Sequence, residues 1–287
     1  MSEGSRTQPL PLRPPSLERL LIVGDGPVAR ALSTGLSRTG AAPERWWRRA
    51  GKPIPVADVV VLAVRDEAIG EVAALVMAGV ADEATPPILL HCSGALPSAE
   101  AFAGLARRPL GSGVLHPLRA LAGAPDDAEL GGVVFAIEGD VLGREAALRL
   151  ADRLGATPLM LDAAQLPKYH AAAALVSNHA VALVDAGVEL LASLGLPRAQ
   201  ATAALAALLA STARNLGMVG LPDALTGPIA RGDVAVVARH LLALRPHAEL
   251  AALYRATARR VAKVAVEKGR AGRDALVRIA ALLVDGG

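Results

Sequence analysis

Between Leu20 and Asp162 short apolar runs alternate with stretches of helical spacing. The runs are RLLIVG (Arg19–Gly24), ADVVVLAV (Ala57–Val64), PILLHCSG (Pro87–Gly94), GVLHP (Gly113–Pro117) and GVVFAIEG (Gly132–Gly139). Polar and apolar residues do not alternate within them. A continuous apolar run suits a strand covered on both faces, so the sheet should be mainly parallel. Ile69–Ala78 and Gly143–Leu154 supply helical patterns between the runs. Beyond Pro167 the strand signal vanishes. Lys168–Leu194, Arg198–Leu216, Val234–Leu244, His247–Glu267 and Arg273–Val284 all read as helices. The pattern predicts an α/β domain with a doubly wound, mainly parallel sheet over residues 18–162, preceded by a tail at 1–17. An all-helical domain should follow over 163–287.

The first strand runs into LLIVGDGPVARAL, Leu20–Leu32. Gly24, Gly26 and Ala29 give the G-x-G-x-x-G/A spacing directly after a strand and at the opening of a helix. Gly24 permits the tight turn, Gly26 lets the backbone approach a pyrophosphate, and Ala29 keeps helix and strand close. Pro27 suits the first helical turn, where its missing N–H costs nothing. The helix N-terminus then offers free amides to phosphates. Val28, in the same turn, and Val64, at the end of the next run, are counted with the cofactor-binding residues. The alternative is an ordinary strand–loop–helix turn. The second strand should end in PERWWRRAGKP, where an acidic residue would mark NAD. Arg48 and Arg49 stand there instead, and guanidinium groups can bind a 2′-phosphate bidentately. NADP is therefore expected over NAD, unless the segment is only a solvated Arg-rich loop.

Composition narrows the rest. Of 287 residues, 53% are hydrophobic but only 2% aromatic, so the core must be built from Ala, Val and Leu. The long apolar stretch Ala199–Ala213 is broken by Gln200, Ser211 and Thr212 and ends at Arg214, so no spanning helix and no membrane partner is expected. MSEGSRTQPLPLRPPS lacks a signal-peptide core and reads as a disordered extension. The single cysteine, Cys92, suits a reducing cytoplasm and behaves as a small buried hydrophobe. A net charge of +3, scattered arginines and few aromatics argue against nucleic acid. No His, Cys or Asp cluster has metal-ligand spacing, so no metal is expected.

LLHCSGAL (Leu89–Leu96), KYHAAAALVSNHAVAL (Lys168–Leu183) and LTGPIARGD (Leu225–Asp233), in this order, resemble one family. It is the group of Rossmann-like NADP oxidoreductases with a C-terminal helical domain of unknown function 2520. Its architecture is similar to ketopantoate reductase, pyrroline-5-carboxylate reductase and the 6-phosphogluconate and β-hydroxyacid dehydrogenases. The resemblance implies an N-terminal Rossmann-type domain and a C-terminal domain like that of 6-phosphogluconate dehydrogenase, with dimerisation through the helices. Ser93 and His116 match the Ser and the His-Pro pair of prephenate dehydrogenases, which implies a catalytic role for His116. Asn178 matches the Asn of β-hydroxyacid dehydrogenases, but Ala174 stands where they carry Lys.

Ligands of parallel sheets bind at the carboxyl ends of strands. HCSG and LHP lie at such ends, so His91, Ser93 and His116 can face a nicotinamide, although His91 can equally just end its strand. At about 100° per residue, His170, Ala174, Ser177, Asn178, Val181 and Asp185 share one face of the Lys168–Leu194 helix. His116, His170 and Asn178 are the catalytic candidates; Ser93, Ser177, Thr226 and Arg231 are the substrate-binding ones, Arg231 for a carboxylate. The alternative is that Gly227 and Pro228 only make a turn and Asp233 only an N-cap. The expected activity is NADP-dependent hydride transfer to or from a small carboxylate-bearing oxo, hydroxy or imino compound. A dinucleotide-binding sensor without turnover is the alternative, favoured by Ala174. ATAALAALLASTA and LLALRPHAELAALYRATA are apolar around more than one face, which predicts a homodimer.

Overall fold

Leu20–Val23, four apolar residues in a row, form strand β1, and all four are buried. Leu20 and Ile22 enter one core cluster, Leu21 and Val23 another. Val59–Leu62 (β3) and Ile88–His91 (β4) divide their side chains in the same way. Two apolar faces explain why these runs show no alternation.

The computed structural model describes residues 16–48, 51–80, 83 and 85–284. Residues 1–15 of the expected disordered tail lie outside the described residues. The remaining strands are β2 (Glu44–Trp46), β5 (Gly111–Pro117), β6 (Val134–Gly139) and β7 (Thr157–Met160). The seven-stranded sheet has the order β2-β1-β3-β4-β5-β6-β7. Neighbours run parallel except β5 and β6, which are antiparallel, with His116 opposite Ala136. Helices α1 (Pro27–Arg38), α2 (Ile69–Gly79), α3 (Ser98–Ala101) and α4 (Val141–Arg153) connect or flank the strands. The apolar runs contain no trace of β7, all of whose residues are exposed, and β2, at three residues, is equally peripheral. Edge strands bury too little to write an apolar run.

The predicted helix Lys168–Leu194 is two helices, α5 (Leu166–Val176) and α6 (Asn178–Ser193). They are separated at Ser177, whose ψ of −77° departs from the helical value while its N–H still reaches Ala173 O at 2.9 Å. Further helices are α7 (Arg198–Val219), α8 (Pro228–Arg231), α9 (Val234–Ala243), α10 (Ala248–Lys268) and α11 (Arg273–Leu282). Contacts group the chain into two compact units, one up to Asn178 and one from His179 onward. The core of the second unit joins Ile229, Val237, Leu241, Ala258, Ala265, Ile279 and Leu283. By contrast α6 buries only Val188 and α7 only Ala201.

By length and composition, the helical run Ala163–Ser193 is long and apolar enough to cross a membrane, against the expectation of no spanning helix. Its few polar residues break the run without lowering its mean hydropathy, 1.4 in the most apolar window, of which 6% is buried.

Candidate active site

Strand β1 lies between β2 and β3, so the chain leaves it towards one edge and then crosses to its other side. Such a reversal opens a crevice at the carboxyl ends of the strands. Gly24 sits there with φ +138°, and a Cβ on it would lie 2.3 Å from Ala63 O. Only glycine fits. Gly26 differs: its φ is −75°, and a Cβ there would meet nothing within 4 Å. It is the N-cap of α1 without a side-chain cap, followed by Pro27, so the helix amides stand bare. Ala29 is fully buried and Val28 half-buried beneath this turn.

At the end of β2, Arg48 donates to Glu71 Oε1 at 2.6 Å, both side chains being exposed. Arg49 lies outside the described residues. Arg45, which sequence reasoning passed over, reaches the turn itself: its Nη2 lies 2.9 Å from Asp25 Oδ1, and its guanidinium stacks 5.3 Å over Trp47. β2 falls within the segment expected to end the second strand, but its register was not legible, so nothing in the sequence said which way Arg45 points. Val64 follows β3, half-buried beside the second core cluster.

A hydrogen-bonded loop follows β4. The Ser93 hydroxyl donates to Asp66 Oδ2 at 2.7 Å and accepts from the amides of Ala95 and Leu96 at 3.3 and 3.2 Å. The Ser93 amide donates to His91 Nδ1 at 3.2 Å, which puts the proton of a neutral His91 on Nε2. His91 is fully buried, with Nε2 unpartnered and its ring edge-on to Phe102 at 5.6 Å. Burial pushes its pKa down to about 4. Cys92, next to it, packs on the first core cluster, and burial raises its thiol to about 12.

Three rings meet beyond this loop. His116, next to last in β5, shares a 2.8 Å hydrogen bond between Nδ1 and the Tyr169 hydroxyl. Its ring is edge-on to His170 at 5.9 Å. Both imidazoles crowd Gly94, whose Cβ would stand 2.9 Å from His116 Nε2 and 2.9 Å from His170 Cδ2. Glycine at 94 is thus what lets the two rings approach. Burial, followed by His170, lowers His116 to about 4, and burial raises Tyr169 to about 12. Both groups are neutral at pH 7.

A cavity of about 600 Å³ opens beside these rings, lined by His116, Arg119, His170, Ala174, Ser177 and Asn178 among others. The structure thereby brings together His116, His170, Ser177 and Asn178, while Ser93 is held in the loop behind Gly94. Val181 and Asp185 belong to α6, where Asp185 pairs with Arg198 at 2.9 Å. Thr226 and Arg231 belong to the second unit: Thr226 lines a cavity of about 460 Å³ there, and Arg231 ends α8, exposed. Gly227 caps α8, and Asp233 caps α9 by accepting from Val236 N at 3.0 Å. Sequence reasoning missed Asp66, Gly94 and Tyr169; each acquires its place through contacts distant in the chain.

Residues 133–261 match the family model described as Domain of unknown function (DUF2520). By sequence the chain matches none of the curated proteins. Among solved structures it is similar to a Thermotoga maritima protein, with 23% identity and a TM-score of 0.69, over 88% of this chain and 100% of that one. A Bacteroides fragilis protein provisionally described as an NADP oxidoreductase has 22% identity and a TM-score of 0.66, over 86% and 100% of the two chains. The Plasmodium falciparum pyrroline carboxylate reductase with NADP bound has 13% identity and a TM-score of 0.55, over 88% and 97%. The fold is that of the Rossmann-type reductases, with an all-helical C-terminal region, and residues 133–261, under half of the chain, match the DUF2520 model.

Proposed function

We propose that the protein is an NADP-dependent oxidoreductase acting on a small carboxylate-bearing oxo, hydroxy or imino compound. The observation that carries this reading is the meeting of His116, His170 and Tyr169 over Gly94, on a cavity at the carboxyl end of β5. The cofactor fits the turn: Gly26 leaves open space over the bare N-terminus of α1, which favours a pyrophosphate. Val28 and Val64 flank it, and Arg48 with Arg49 would take the 2′-phosphate. An exposed pair such as Arg48–Glu71 is worth less than about 1 kcal/mol and yields readily to a phosphate. The NADP held by the Plasmodium falciparum structure and the NADPH in a similar Aspergillus terreus reductive aminase support the choice. When bound, the nicotinamide supplies or accepts the hydride.

The chain's own residues then handle polarity and protons. We assign the Tyr169 hydroxyl as donor to His116 Nδ1, which places the proton of the neutral ring on Nε2, facing Gly94. A neutral imidazole with so low a pKa polarises a substrate oxygen or nitrogen by donating a hydrogen bond, without carrying charge itself. His170, exposed on the same cavity, exchanges the proton with solvent. Asn178 and Ser177 orient the substrate, and Arg119, the one Lys or Arg among the cavity's lining residues described, would meet its carboxylate in exchange for part of its present hold on Glu129 O and Asp126.

The working form is a homodimer in this reading. In α7, Leu208 and Met218 are 62% and 79% exposed, and a second copy covers such a surface better than water does. A screen of 2-oxo acids, imino acids and ketopantoate-like compounds for NADPH oxidation tests the activity. Turnover that collapses in His116→Ala supports it. Silence across the panel, with tight NADPH binding intact, favours a sensor, the reading to which Ala174 on the cavity wall lends weight.

A further inference from the structure

A second cavity, of about 690 Å³, opens between α3 and the β5–β6 pair. Ser112 lines it, four residues before His116 on β5, or roughly 13 Å at the rise of a strand. It is therefore separate from the cavity beside His116.

Glu138 lines this cavity and is only 6% exposed. Its Oε2 accepts the Ser98 amide at 3.0 Å. No described residue donates to Oε1, and no described cation lies within 4.0 Å of the carboxylate. Asp140, on the same wall, is in the opposite condition. It accepts from the Ser112 amide at 2.7 Å, the Ser112 hydroxyl at 3.0 Å and the Gly143 amide at 2.8 Å. Glu138 has one protein donor for two oxygens, and Oε1, which is not among the fully buried polar atoms, opens to the cavity, where a donor or cation would meet it. The remaining walls are apolar at Phe102 and Leu105, while Arg108, exposed and without an acidic partner among the described residues, stands at the rim. The volume falls in the range of small-molecule sites.

We propose that this cavity binds a small molecule of the amino-acid class. Its ammonium donates to Glu138 Oε1, its carboxylate meets the Arg108 guanidinium, and its side chain lies against Phe102 and Leu105. The charges are complementary at both ends, and a neutral or purely anionic ligand would leave Glu138 unanswered. The site needs neither the dinucleotide nor the chemistry at His116, so it stands or falls independently of the proposed activity.

Isothermal titration of the full chain, without NADPH, tests it. The probes are the common L-amino acids and, as controls for L-leucine, 4-methylpentanoate without the amine and 3-methylbutylamine without the carboxylate. At least one amino acid should bind below about 1 mM, and L-leucine should exceed both controls by about tenfold or more. Glu138→Gln, which keeps the shape and an acceptor for Ser98, should weaken binding about tenfold or more. Ala103→Phe, an enlargement at an exposed lining position, should block it with the core untouched. No binding by any amino acid at about 10 mM, equal binding of the amine-free control, or unchanged affinity in a folded Glu138→Gln would each overturn the proposal and leave a water-filled cavity.

Discussion

Alanine at Gly24 and alanine at Gly26 should have opposite consequences, and the contrast separates a nucleotide turn from a plain connection. At Gly24 the new Cβ would lie 2.3 Å from Ala63 O, below the 3.0 Å that real Cβ contacts respect, so backbone must move by at least their difference, 0.7 Å. The atom that must yield belongs to the residue whose amide donates to Val23 O at 2.8 Å, joining β3 to β1. Overpacking of this kind costs about 1–3 kcal/mol, and a side chain at φ +138° adds about 1–3 kcal/mol of strain. Together they remove about 2–6 kcal/mol from a typical total of 5–15 kcal/mol, and Tm should fall by roughly 5–20 °C. At Gly26 the dihedrals suit any residue and the Cβ meets nothing, so the change should cost under about 1 kcal/mol. Its Cβ would occupy the approach to the α1 amides, and NADPH affinity should drop about tenfold or more. Thermal unfolding and fluorescence titration of both variants read the two effects. Wild-type NADPH affinity in Gly26→Ala would show that the turn holds no pyrophosphate, and an unshifted Tm in Gly24→Ala would contradict the steric argument.

Stability should fall on acidification: His91 titrates near 6.5 when unfolded and about 4 when folded, so between these values only the unfolded chain takes up the proton. The contribution, at most about 3 kcal/mol, is complete above pH 6.5 and lost towards pH 4; His116, lowered to about 4 as well, adds to the same slope, so denaturation across this range should show a slope that His91→Asn reduces by about half. Tyr169→Phe removes the hydroxyl from His116 Nδ1 and should lower kcat about tenfold or more with NADPH affinity unchanged; equal losses in both would mean a general collapse of the site. Replacing Arg48 and Arg49 together should abolish a preference for NADPH over NADH, and equal affinities in the wild type would refute that preference. Light scattering at micromolar concentration should give twice the 29.2 kDa of one chain, and a monomeric mass would sink the dimer.

What could be read from the sequence follows from what is buried. β1, β3 and β4 announce themselves because each fills both faces of the sheet. β7 does not, because all four of its residues are exposed at a sheet edge, and β2, expected only as a strand ending in PERWWRRAGKP, buries Trp46 alone. The glycine turn is legible because its requirement is local: Gly24, Gly26 and Ala29 act within one strand–helix junction. The site is only half so. His116 and His170 are marked by position, but Tyr169 meets His116 across 53 residues and Asp66 meets Ser93 across 27, and no local pattern encodes such pairs. Gly94 is the subtlest case, since its value lies in the atoms it lacks. The break at Ser177 escaped because the residues on either side favour helix.

The wall of alanines beside the histidines bears on how this protein can change. Ala172, Ala173 and Ala174 line the cavity from α5, a helix whose only buried residue is Leu166. Side chains there can grow by single mutations without disturbing the packed core, and each added methylene removes volume directly from the cavity. In the proposed activity the His116 ring is held by a glycine and a tyrosine, whereas the shape of what the cavity admits is set by residues free to vary. If the proposed activity holds, divergence to new substrates is a short walk for this scaffold, and a directed-evolution library confined to those three codons samples it.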